Sequence, residues 1–220
     1  MRSSEPTKGQ LRRIKRKPIY IVCDNVLDTY NIGSIFRLAD AVAASKVYLC
    51  GGSETPPNSR IAKASVGTDK WVPWQYATTA VEAIGDVRKL LDSSSTHSKN
   101  IVRAQSRTSL KVIAIEQHPK AKDFRKVNYK QSFSANKQSF SANKQSLRSS
   151  SLDKRGTAGL ELLTMNHELA VAFVVGHETN GVSKEALALC DQIVEIPMYG
   201  VNISLNVMVS LAIVMYRTSE

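Results

Sequence analysis

Leu169-Ala-Val-Ala-Phe-Val-Val175 is a run of seven apolar residues that ends on Gly176. A run this short and this rich in β-branched residues reads as a strand buried on both faces. Gly176-His-Glu178-Thr-Asn-Gly181-Val182 then turns the chain, and Ser183 to Leu189 resumes at helical spacing. Strand, glycine turn and helix make one unit of an α/β fold, and the same order repeats on either side. Ile19-Tyr-Ile-Val-Cys23, Val47 to Cys50, Trp71 to Tyr76, Val112 to Ile115 and Gln192 to Ile196 read as further strands. Helices are expected within Asp28 to Ala44, near Ile61 to Val66, and over Val81 to Leu91 and Ile203 to Tyr216. Most of these strands lack in/out alternation. The expected fold class is therefore α/β, a parallel sheet flanked by helices on both faces.

At 220 residues, 42% of them hydrophobic, the chain is sized for one domain with a real core. No apolar run with a small-residue cleavage site follows the N-terminus. The most apolar stretch, Val201 to Tyr216, is too short to span a bilayer, so no membrane partner is expected. Cys23, Cys50 and Cys190 form no CxxC pair, and buried reduced thiols point to a cytoplasmic setting.

The formal charge of +11 is unevenly spread. Residues 1–17 carry seven Lys/Arg and one acid, and residues 99–155 carry fourteen and three. The expected core is mildly acidic. Basic appendages on such a core suit a polyphosphate partner, since each neutralised phosphate releases counterions. Residues 1–17 read as a basic flexible tail. Residues 18–220 read as one domain, interrupted at about 117–167 by a low-complexity insertion. Within it Lys130-Gln-Ser-Phe-Ser-Ala-Asn136 recurs unchanged at Lys137 to Asn143 and begins again at Lys144. Its Ser and Asn compete with helix backbone, and one apolar position per seven cannot make a coiled-coil seam.

Three segments stand where a strand hands over to a helix: Asn31-Ile-Gly33-Ser-Ile-Phe-Arg37, Gly176 to Val182, and Ile196-Pro-Met198 with Ser204-Leu-Asn206-Val207. Asn31 is placed to cap a helix from Ile32. Gly33 and Arg37, four apart, share a face off the apolar stripe, where glycine leaves room for a ligand or a backbone. The plainer reading of Arg37 is a surface ion pair with Asp40. A glycine at the carboxyl end of a buried strand lets a ligand lie over the sheet, where open α/β proteins bind. Neither GxGxxG nor GxxxxGK[ST] occurs. Ser204 is a candidate cap for the last helix. Asn206 stands in a helix apolar nearly all round, expected to be buried, and so demands a partner.

In order, spacing and local structure the three segments resemble the motifs of the SpoU/TrmH branch of the SPOUT methyltransferases. The resemblance covers roughly residues 18–116 and 168–217. It implies a C-terminal trefoil knot, which runs against the general rule that chains do not thread loops. It also implies S-adenosylmethionine as cofactor, tRNA or rRNA as substrate, a ribose 2′-hydroxyl as methyl acceptor, and a homodimer built on the last helix. By resemblance Arg37 receives or helps remove the hydroxyl proton. Asn31 and Glu178 position the nucleotide and the arginine, and Ser204 and Asn206 hold the reacting groups. Backbone around Val175, Gly176, Ile196, Met198 and Leu205 grips the cofactor. His177 departs from the pattern, which usually has Asn there. No separate recognition domain is expected. A catalytically silent RNA-binding protein on the same scaffold, or a nucleotide-binding α/β protein unrelated to RNA, stays open on sequence alone.

Overall fold

A computed structural model describes residues 5–94, 109–127, 129 and 169–219. Seven described strands form one sheet in the order β3-β2-β1-β6-β4-β7-β5: β1 Lys17–Asp24, β2 Ala44–Cys50, β3 Trp74–Ala77, β4 Leu110–Ile115, β5 Lys122–Asp123, β6 Ala170–Gly176 and β7 Gln192–Glu195. Every pairing is parallel. The described helices are α1 Lys8–Arg12, α2 Thr29–Ala41, α3 Ser59–Ser65, α4 Ala80–Ser94, α5 Lys184–Leu187 and α6 Val207–Ser219.

The pleat sends alternate residues of each strand to opposite layers. Ile21, Cys23, Val47, Leu49, Phe173 and Val175 pack with α2, α3 and α6. Tyr20, Val22, Tyr48, Cys50, Ala172 and Val174 pack with α4 and α5. Both faces are covered, which is why the strands read as unbroken apolar runs. β6 runs between β1 and β4, the arrangement of strands that brings Asp24 level with Gly176 and Ala114 level with Val174. The carboxyl ends of β1, β4, β6 and β7 thus share one rim of the sheet.

Several boundaries differ from the sequence reading. Residues 7–12 of the stretch read as a flexible tail form structure: Thr7 accepts the Gln10 backbone N–H while the Gln10 side chain accepts that of Thr7, a capping box that starts α1. Arg16 donates to the carbonyls of Ala44 and Trp71, each at 2.9 Å, and β1 begins at Lys17. Residues 122–127 and 129, within the stretch read as an insertion, are part of the fold. Residues 122–126 form β5 on the sheet edge and a 3₁₀ turn, and Tyr129 is buried with its hydroxyl on the Phe124 carbonyl. The repeat itself lies outside the described residues. The third strand spans Trp74–Ala77; Trp71 instead closes a 3₁₀ turn and donates its indole N–H to Asp40. The last helix starts at Val207 and is not buried all round. Leu211, Val214 and Met215 face the core, while Val209, Ile213 and Tyr216 form an exposed apolar stripe. Cys23 and Cys50 are free and buried, and burial pushes the Cys50 thiol up to about 12. Among the described residues no helix is long and apolar enough to cross a membrane.

Candidate active site

The first turn of α2 organises the site. Asp28, not Asn31, is its N-cap, accepting the Tyr30 N–H at 2.8 Å. Asn31 lies inside the helix and is buried, so its side chain is free to act in tertiary contacts. Glu178 reaches this helix start from the loop after β6. Its carboxylate accepts the backbone N–H groups of Leu27 and Asp28 at 3.2 and 3.1 Å and the Asn31 amide at 3.1 Å. An anion here satisfies orphan donors and meets the positive end of the helix. Burial alone would raise the Glu178 carboxyl. The Asn31 amide and the backbone N–H groups outweigh it and hold the group below its ordinary value.

The remaining oxygen of Asn31 accepts the Asn206 amide at 2.9 Å. Asn206 is exposed rather than enclosed in an apolar helix, and its own oxygen accepts the N–H groups of Met208 and Val209. It is therefore the cap of α6, the role considered for Ser204. A single chain of hydrogen bonds, Asn206 to Asn31 to Glu178, joins the three segments.

The loop after β6 is closed on itself. His177 and Gly181 exchange both backbone hydrogen bonds, and His177 Nδ1 accepts the N–H groups of Thr179 and Asn180. A ring nitrogen thereby closes the turn, as a short polar side chain does in an Asx turn. Gly181 has φ of +69°, and a Cβ there would come within 2.3 Å of Glu116 Oε2. Glu116 follows β4 directly and accepts the Val182 N–H at 2.9 Å and the Gln117 N–H at 3.1 Å. Glu116 belongs to none of the three segments. An acid immediately after a buried strand, at the same rim as the other segments, was the available signal.

These elements enclose a cavity of about 460 Å³, well within the range of small-molecule sites. Val175, Gly176, Ile196, Met198 and Leu205 all line it, as do Glu178, Ser204 and Asn206. Asn31 stands behind the wall as the bridge between Glu178 and Asn206. Arg37 is not part of the wall. It lies six residues farther along α2, is exposed, and takes no part in an ion pair among the described residues. Gly33, expected to leave ligand space, instead admits α3: a Cβ would fall 2.5 Å from that of Ala64 and 2.7 Å from the Ile61 carbonyl. Among the described residues no group of His, Cys, Asp and Glu is arranged to hold a metal.

Comparison with known proteins places this geometry. The SpoU rRNA Methylase family profile matches residues 18–105 and 90–216. The tRNA (guanosine(18)-2′-O)-methyltransferase of Escherichia coli is 25% identical over 210 residues, covering 94% of this chain. The chain spans 65% of the length of that relative. The enzyme of the same name from Thermus thermophilus is also 25% identical, over 98% of this chain and 84% of its own length. Among solved structures, the SpoU methyltransferase AviRb from Streptomyces viridochromogenes, in complex with AdoMet, superposes with a TM-score of 0.61 at 20% identity, covering 94% of this chain and 62% of that one. The TrmH/SpoU tRNA modifying enzyme of A. aeolicus gives 0.59 at 22%, covering 96% and 81%. A profile match from the first strand to the last helix, joined to the shared fold, shows that the chain belongs to the SpoU rRNA methylase family.

Proposed function

We propose that this chain is an S-adenosylmethionine-dependent RNA methyltransferase that methylates a ribose 2′-hydroxyl of tRNA or rRNA. The observation that carries the reading is the hydrogen-bonded chain Asn206–Asn31–Glu178, which fixes the helix bearing Arg37 against the wall of the cavity. The cavity fits the cofactor in chemistry as well as size. Ile196, Met198 and Leu205 offer apolar surface to an adenine, the backbone at Val175 and Gly176 offers polar groups, and three glutamates and no lysine or arginine stand among the lining residues, which suits a cationic ligand.

When bound, S-adenosylmethionine supplies a methyl group on a positively charged sulfur. Transfer would break the C–S bond as the O–CH₃ bond forms, releasing the neutral thioether, and the hydroxyl proton would pass to solvent water. In this reading the protein's work is alignment, which alone can supply several kcal/mol. Ser204 and Asn206 hold the reacting groups, and Glu178 keeps α2 in place through Asn31. Arg37 polarises the ribose hydroxyl and holds the adjacent phosphate, since a guanidinium stays protonated.

The trefoil knot and the homodimer belong to the same proposal. Val209, Ile213 and Tyr216 on α6 offer apolar surface for a second copy. Free buried thiols suit a cytoplasmic setting. The test is transfer of labelled methyl to tRNA and rRNA, followed by nucleoside mass spectrometry. A 2′-O-methylated nucleoside is expected. A base-methylated product, or cofactor binding without transfer to either RNA, would refute the reading.

A further inference from the structure

The cavity wall carries Glu116, Glu178 and Glu195 and, among its described residues, no lysine or arginine. Glu178 and Glu116 differ in that only Glu178 sits at a helix start. Glu178 faces the first turn of α2, and its charge is met there by backbone donors and the helix dipole. Glu116 lies between Ile115 and Gln117, which also line the cavity. Both of its oxygens accept backbone N–H groups, at Val182 and Gln117, so its side chain is held in one place. Gln117 is tied in turn to the Ile203 carbonyl on the opposite wall. No arginine or lysine reaches Glu116 to form an ion pair among the described residues.

We propose that Glu116 is a specificity-determining residue of the cofactor site, whose fixed charge favours the cationic methyl donor over the neutral thioether product. This rests on the cofactor reading above. S-adenosylmethionine and S-adenosylhomocysteine differ by one methyl group and one positive charge. A site that sensed only shape would separate them weakly, because a methyl group is a small handle. A carboxylate held in a partly enclosed cavity senses the charge directly, and solvent screens it less there than on an open surface. The consequence is a site that holds the donor and releases the spent product.

The test is calorimetric titration of the full chain and of Glu116→Gln with S-adenosylmethionine, S-adenosylhomocysteine and sinefungin. The last carries an ammonium in place of the sulfonium and cannot transfer a methyl. The readout is the ratio of product to donor dissociation constants. In E116Q this ratio should fall on the order of tenfold, with sinefungin following the donor. Loosening of the Gly181–Val182 loop would weaken all three ligands together and leave the ratio alone. Partial misfolding would lower the binding stoichiometry and again leave the ratio alone. An unchanged ratio in E116Q overturns the proposal and leaves the cofactor reading standing. Failure of the folded, unaltered protein to bind any of the three overturns the cofactor reading, and the proposal with it.

Discussion

Arg37 and Glu178 show how two charged residues on neighbouring segments take opposite structural roles. Arg37 is exposed and outside the hydrogen-bond chain, so Arg37→Ala should abolish methyl transfer while leaving the melting temperature and cofactor affinity nearly unchanged. Activity equal to the unaltered protein would remove its proposed role. Glu178 is structural as well as placed in the site. Its folded carboxyl sits below the usual value, so it stabilises the fold at pH above the unfolded value of about 4.3. That contribution disappears as pH falls through the lower, folded value. Glu178→Gln should therefore lower stability near neutrality and flatten the acid limb of a pH–stability profile, read by denaturant melts. An acid limb identical to that of the unaltered protein would show that the contacts with Leu27, Asp28 and Asn31 contribute nothing to folding. The sequence pointed to both residues but not to their relation. A hydrogen bond between positions 31 and 178 leaves no local periodicity to read.

At the scale of elements, the strands and most helices were legible because burial on both faces writes itself into apolar runs. The sheet's carboxyl rim was legible for the same reason, since each site segment follows such a run. Helix ends were harder. The capping candidates at Asn31 and Ser204 both give way to a neighbour: Asp28 caps α2 and Asn206 caps α6. Short polar residues cluster at these starts, and only tertiary contacts decide which one caps. Asn206→Ala should cost about 1 kcal/mol for the cap, with a further loss of cofactor affinity as Asn31 loses its partner. Asn206→Asp should recover the cap but not the donated bond, so a melting temperature restored together with cofactor affinity would break the proposed link to Asn31. The last helix is only partly buried, because apolar residues on all sides do not distinguish a buried helix from one with two separate apolar stripes. The outer stripe at Val209, Ile213 and Tyr216 gives the expectation that Ile213→Glu converts a dimer to a folded monomer, checked by light scattering at micromolar concentration. A monomer before the substitution would count against the dimer.

At the scale of the whole molecule, chemistry and charge are segregated. Residues 1–17 and 99–155 hold twenty-one of the thirty Lys/Arg, and of the proposed site residues Glu116 alone falls within them. The structure redraws where the basic appendages begin. Arg16 and Lys17 are built into the body, and Lys120, Lys122, Arg125 and Lys126 stand on an ordered segment at the sheet edge, where Arg125 pairs with Asp123 and donates to Tyr199. Tyr129 belongs to the core, so a deletion meant to spare the fold must start after it. Replacing residues 131–167 with a short Gly/Ser linker removes five Lys/Arg and two acids, and none of the proposed site residues. The fold and cofactor affinity should survive, because a Ser/Asn-rich repeat has little apolar surface to bury. If those five cations contact phosphates, RNA affinity should weaken and the slope of log affinity against log salt should become shallower by up to about three to four units. Stacking of Phe133 and Phe140 on unpaired bases would add a loss that salt does not change, separable because it moves the intercept and not the slope. An unchanged slope and an unchanged intercept would assign RNA binding to the ordered edge at Lys120 to Lys126, the N-terminal residues and the dimer surface, and would leave the repeat without a part in it.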